Sequence, residues 1–310
     1  MHRLRNSFLI CTCLLTAAGC SIKRMAINRI GNALASGGST YETDDDPDLV
    51  GDALPFGLKL IESLLAESPK HRGLLLAAAS GFTEYSYAFV SQRADEAAAE
   101  SLERSNALRA RARRLYLRAH AYGLRGLELR YPGIGAALDS EPADAVARAR
   151  KEDVPLLYWT AASLGLAIST SKDDPEMIAQ LPMVDAMICR VAELDESWGQ
   201  GSVPEFLISV EASRTGAKPA EKQEHMRRYF ERALEFSKGR QADLFISYAE
   251  NASVAAQDRA QFESLLHRAL DIDPDQRPES RLANLVAQRR ARWLLGRIDE
   301  LFLDPPAARP

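Results

Sequence analysis

The sequence predicts an all-α protein, built as stacked antiparallel helix pairs in one compact domain. Three observations carry this. Apolar residues recur at helical spacing from Leu54 to Leu301 without giving way to strand alternation. Hydrophobic residues make up 46% of the 310-residue chain and charged residues 26%, with Ala, Leu and Arg prominent and only 7% aromatic, a helical globular composition. Clusters of Pro, Gly and Asp divide helix-length segments with short connections, which favours one continuous stack over two linked domains.

Residues 1–19 read as a secretory leader. MHRLRNSFLICTCLLTAAGC opens with Arg3 and Arg5, runs apolar from Phe8 to Leu15 and reaches small residues before Cys20, the layout of a signal peptide. That run is too short to be a permanent span. Ala17-Ala18-Gly19-Cys20 resembles a bacterial lipobox, with Ala17 where Leu is commonest. In that pattern Cys20 takes the lipid and becomes the new N-terminus; an ordinary secretory cut nearby is the alternative. Ser21, rather than Asp, follows Cys20, which favours a periplasmic chain anchored in the inner leaflet of the outer membrane. Cys11 and Cys13 leave with the leader, so Cys189 is the one free thiol and no intramolecular disulfide is expected. Losing Arg3 and Arg5 moves the formal charge from −4 to −6, which argues against a nucleic-acid partner.

Residues 20–43 are expected to form a lipidated tether, in which Lys23, Arg24 and Arg29 either meet anionic head groups or belong to a plain short tether of one or two helical turns. The domain spans 44–304 and a short tail covers 305–310. It opens on YETDDDPDLVGD: Asp44, Asp46 and Asp48 have alternate spacing, but Leu49 and Pro55 stand where a calcium loop needs Gly and Glu. Asp46 before Pro47 fits a helix cap instead. Leu54, Leu58, Ile61 and Leu65 then mark a helix that Ser68-Pro69 breaks. GLLLAAASGFTEYSYAFV (73–90) is apolar almost all round, so it is buried on most of its surface. A charged helix over 94–130 follows, and further helices are predicted near 141–150, 153–170, 175–194, 203–214, 219–237, 240–256, 258–271 and 278–303.

VAELDESWGQ (191–200), ALEFSKGRQA (233–242) and ALDIDPDQRP (269–278) each close one helix and open the next, and LLAESPKHRG (64–73) is an earlier relative. Their spacing of about 36–42 residues approximates cryptic tetratricopeptide-like repeats, whose helix pairs stack around a concave face. DDDPDLVGDALPFGLKLIESLLAESPKHRGLLLAAASGFTEYSYAFV (44–90), VPLLYWTAASLGLAIS (154–169) and SVAAQDRAQFESLLHRALDIDPDQRPESRLANLVAQRRARWLLGRIDELF (253–302) together resemble, in collinear order, the T-component family of tripartite ATP-independent periplasmic (TRAP) transporters. The resemblance implies a periplasmic lipoprotein that forms homotrimers with an apolar pore in each protomer. It implies docking to a periplasmic solute-binding protein and a hydrophobic or amphipathic small-molecule ligand. It supplies no catalytic residue and no cofactor. Cys20 carries over as the lipidation site and, more loosely, Tyr85, Tyr87, Phe89, Tyr158 and Trp159 as pore or groove lining. The plain alternative for those aromatics is core packing.

Catalytic signatures are missing from the text. His71, His120, His225 and His267 are scattered, and Glu221 with His225 lacks a third metal ligand. No phosphate loop, nucleophile elbow or cysteine-nucleophile signature occurs. Asp173-Asp174 before Pro175 read as helix caps, and Cys189 as a small hydrophobe. Two other functions stay open: a tetratricopeptide-type scaffold for an envelope assembly machine, and a periplasmic hydrolase whose site only the fold assembles. In RLANLVAQRRARWLLGRIDELF (281–302), Ala283, Ala287, Ala291, Leu294, Ile298 and Leu301 form one stripe, while Leu282, Val286 and Trp293 form another. That helix is expected to pack on two sides. Arg289 and Arg297 flank Trp293 and make a candidate partner or protomer contact.

Overall fold

The computed structural model describes residues 39–303 except Thr215; the leader, Cys20, most of the tether and the tail lie outside them. Every regular element among the described residues is helical. A short turn at Ser39–Glu42 precedes α1 (Pro47–Glu67), which begins as the sequence predicts: the Asp46 carboxylate accepts from the amides of Asp48 and Leu49 at 3.1 and 3.0 Å. α2 runs Arg72–Ser86, passes through a π turn at Tyr87–Ser91 and ends at Ala97. The expected helix from 94 is therefore divided. Its first residues finish α2, and Ser101 caps α3 (Leu102–Glu128) by accepting from Arg104 at 3.2 Å.

α4 (Ile134–Ser140) lies in the gap between the helices predicted over 94–130 and 141–150, and α5 (Pro142–Ala147) follows. α6 spans Val154–Ser169. The segment expected as one helix over 175–194 is a single turn, Pro175–Ile178, and then α7 (Leu181–Asp195), with Pro182 in the first turn of α7. α8 (Ser202–Ser213), α9 (Pro219–Ser237), α10 (Ala242–Tyr248, continued by a π turn at Ala249–Ser253 to Ala256) and α11 (Arg259–Leu270) come next. α12 (Arg281–Leu295) and the one-turn α13 (Ile298–Leu301) close the domain, broken at Gly296 where one helix was expected.

Successive helices pack as neighbours: α1 on α2, α2 on α3, α3 on α6, α6 on α7, α8 on α9, and α10 on α11 and α12. The α3–α6 pairing is close, and glycines allow it. A Cβ on Gly123 would stand 2.3 Å from Thr160 Oγ1, and one on Gly126 2.7 Å from a Leu156 methyl. Two cores result. The first gathers Leu74, Leu75, Tyr116, Leu157, Leu164 and Met187; the second gathers Phe230, Phe245, Phe262, Leu266 and Leu294. α8 joins them, with Val203 and Leu207 in the first and Ile208 in the second.

α12 then returns to the start of the chain. Leu282 and Val286 pack on the first core, whereas Ala287, Ala291 and Leu294 are buried in the second, so it does pack on two sides. Arg281 donates to the Thr43 carbonyl at 3.1 Å, Arg289 to Asp48 at 3.3 Å, and Arg290 to Asp95 at 2.9 Å and Glu250 at 2.6 Å. The last long helix is thereby tied to the first two, and the stack closes on itself.

Candidate functional site

Closure leaves an interior space. α2 is apolar almost all round, yet Ala77, Ser80, Glu84 and Tyr87, spaced three, four and three, form a face that is not buried. Tyr87 is 41% exposed and Glu84 is also exposed, yet both stand deep enough in the protein for burial to raise their pKa values. The surface they present opens inward. The half-buried side chains of Tyr158 on α6, Glu205 on α8 and Asp243 on α10 are enclosed in the same way. They share one neighbourhood: Tyr87 lies in the fields of Glu250, Arg290, Asp243 and Glu205, and Tyr158 in those of Glu205, Asp243 and Glu84.

Two π turns border this space. The amide of Gln92 donates to the Tyr87 carbonyl and that of Val254 to the Ala249 carbonyl, each five residues back. An extra residue in a helical turn re-aims the side chains after it and weakens the local ladder, a device common at functional sites. Tyr87 begins the first π turn and Glu250 lies in the second. Arg290 bridges the two helices through Asp95 and Glu250.

One part of the wall is aromatic. Tyr158 has ring centroids of Trp198, Trp159 and Phe206 at 4.5, 5.2 and 5.9 Å, and the Ser202 hydroxyl is within hydrogen-bonding reach of its phenol. Three carboxyls, Glu84, Glu205 and Asp243, also stand here, where the family resemblance implies an apolar pore. Burial, with the charge of Glu42 adding to it, pushes the Glu84 carboxyl up to about 7. Burial and the neighbouring Asp243 hold Glu205 well above the carboxylate range. Asp243 is itself raised by burial, although the Leu244 amide donates to it at 3.1 Å. Both tyrosine hydroxyls are raised by burial as well.

The five aromatics expected at a pore or groove part company. Tyr87 and Tyr158 face the interior space, and Trp159 sits beside Tyr158. Tyr85 and Phe89 are core residues, 8% and 7% exposed. Their rings are 6.0 Å apart, Tyr85 receives a hydrogen bond from Arg111, and a Cβ on Gly51 would touch Phe89 at 2.8 Å. Helical spacing explains the difference: Tyr85 and Phe89 share a face that Tyr87 does not. At the C-terminal helix, Arg290 rather than Arg289 covers Trp293, at 4.4 Å, with Arg297 at 5.0 Å. Arg289 turns to Asp48 and Glu96.

Sequence reading missed Trp198, Phe206 and all three carboxyls. A signal was there. Glu84 in GLLLAAASGFTEYSYAFV, Glu205 in SVPEFLISV and Asp243 in ADLFISY are each the single charge in an apolar segment, and a lone acid in a buried helix calls for an explanation.

Other polar clusters act structurally. Asp153 is fully buried and accepts from Tyr131, Arg72, Arg130 and the Arg150 amide at 2.6, 2.5, 3.2 and 3.0 Å. His225 meets the buried Glu211 at 3.1 Å. Cys189 is half-buried, and burial pushes its thiol up, which disfavours a nucleophilic thiolate. A polar cleft of about 270 Å³ lies between the 233–242 and 269–278 turns, lined by Lys238, Arg240, Asp271, Asp273 and Arg277.

None of the described helices is long and apolar enough to cross a membrane. The chain is 30% identical to an uncharacterized protein of Treponema pallidum (strain Nichols), over 96% of this chain and 97% of that one. The family model described as TRAP transporter T-component matches residues 43–302, from the end of the turn before α1 to just past α13. A match over nearly the whole helical ring, interior space included, places this chain in the TRAP transporter T-component family.

Proposed function

We propose that this T-component is a periplasmic lipoprotein anchored through Cys20, that it docks a solute-binding protein of a TRAP transporter, and that its interior space holds or passes a small ligand with hydrophobic character. The observation that carries the ligand reading is that Glu84, Tyr87 and Tyr158 keep accessible surface although they stand deep in the fold, where full helix packing would have covered them. The inner leaflet of the outer membrane is the favoured site of the anchor, from Ser21 after Cys20.

Docking is tested by mixing the purified protein with a TRAP-type solute-binding protein from the same organism and following the pair by native mass spectrometry. A stoichiometric complex is expected, and only free components would defeat the docking reading. Palmitate labelling should be lost in Cys20→Ser, with the protein leaving the membrane fraction. The homotrimer belongs to the same reading, and an apolar stripe on α1 supports a contact with further copies. Leu49, Phe56 and Leu60 are 59%, 76% and 38% exposed at spacings of seven and four. Phe56→Glu is expected to shift the mass measured by light scattering to that of a monomer. An unchanged mass would remove α1 from the interface.

A further inference from the structure

The chemistry of the interior wall narrows the ligand class, on the reading above that the space holds a ligand. Glu84 and Glu205 are enclosed by protein, face the space, and have no hydrogen-bond or ion-pair partner among the described residues. An acid with such surroundings is costly unless a cation or a donor completes it. The nearby cation is Arg290, and it is already engaged by Asp95 and Glu250. Tyr158, backed by the Trp198 and Phe206 rings, shares the wall with these acids. Aromatic faces beside unpaired carboxyls make a good receptor for an alkylammonium head.

We propose that the interior space is a binding site for a cationic amphiphile, an amine or quaternary ammonium with an apolar tail, whose head is held by Glu84 and Glu205 against Tyr158. Anionic amphiphiles are disfavoured by the same wall. Asp243, beside Glu205, adds to the negative field, as Glu42 does beside Glu84. Glu250 also faces Tyr87, and Arg290 opposes it there. Because burial raises both glutamates, the affinity for a fixed cation grows as pH rises and they ionise.

The test is calorimetric titration of the purified protein with decyltrimethylammonium, decanoate and decyl glucoside, which share a tail and differ in head-group charge. Decyltrimethylammonium is expected to bind roughly tenfold tighter than decanoate, with a preference that grows between about pH 6 and about pH 8. In the Glu84→Gln/Glu205→Gln double variant the preference should vanish while decyl glucoside binds as before, which also shows that the variant is folded. The pH series on the unmodified protein tests the assignment without any substitution. Equal binding of the three, or tighter decanoate, overturns the cation proposal and leaves the ligand-holding function standing. A preference that survives in the double variant overturns the role of the two glutamates. Binding of none of the probes overturns both the proposal and the ligand reading beneath it.

Discussion

Asp153 and Glu84 are acids with opposite fates, and they tune stability in opposite directions. Burial alone would raise Asp153, but the Tyr131 and Arg150 hydrogen bonds and the charges of Arg72 and Arg130 bring it below the usual carboxylate range. Its stabilisation is therefore present at neutral pH and is lost as pH falls through that lowered value. Asp153→Asn should cost about 2–4 kcal/mol in urea unfolding, below the largest buried-pair values because Arg72 and Arg130 remain partly exposed. Glu84 works the other way. The native state holds its proton up to about 7, above the ordinary 4.5, so its contribution falls as pH rises across that window and levels off beyond it. Glu84→Gln should flatten the stability profile there, read as the pH dependence of the urea midpoint. The caps at Asp46 and Asp174 were legible in the sequence because donor and acceptor are two or three residues apart. Asp153 was not, since its arginine partners come from positions 81 and 23 residues away.

Helices were legible where apolar periodicity was strong, and their ends were legible where a Pro or a capping acid marked them. The misplaced boundary between α2 and α3 fell in QRADEAAAESLERS, which favours helix throughout and hides the Ser101 cap among other small residues. The two π turns left no trace in composition. Thr83 and Ser86 donate to the carbonyls four residues before them, both at 2.6 Å, just ahead of the first π turn, and such side-chain bonds loosen a helix. At the α3–α6 crossing, Gly123→Ala would force Thr160 Oγ1 and then the Thr160 backbone to move, the latter standing 3.3 Å from the new Cβ. A loss of about 1–3 kcal/mol is expected, partly restored by Thr160→Ala in a double-mutant cycle of chemical denaturation. Full additivity of the two changes would show that the crossing does not depend on this contact.

For the molecule as a whole, composition and repeats gave the all-α stack but not its closure. The ties that close it join positions 195, 238 and 241 residues apart, beyond the reach of any local pattern. Arg281, Arg289 and Arg290 of α12 form a clasp on Thr43, α1, α2 and α10. Arg290 is the centre of it, with a side chain only 13% exposed between Asp95 and Glu250. Arg290→Met keeps an apolar side chain beside Trp293, leaves Glu250 without its ion-pair partner and leaves Asp95 with Arg109 alone. Amide hydrogen exchange should then accelerate in α12 and in the π turn of α10 and stay unchanged in α3 and α6. Uniform acceleration would instead mean that the clasp supports the entire fold.

The same clasp sets an order of events in time. A chain that leaves the ribosome, or a translocation channel, amino end first can pair α1, α2, α3 and α6 while the carboxyl end is still to come, because those contacts are between near neighbours. The pairs formed by Arg281, Arg289 and Arg290 must wait for the last thirty or so residues and carry the largest loop-closure entropy. Until then the contacts that tie α12 to the start of the chain are absent, and Arg290 does not yet stand near Tyr87. The inner chamber is thus the final thing the chain makes, and a nascent or truncated copy lacking α12 would have walls but no chamber.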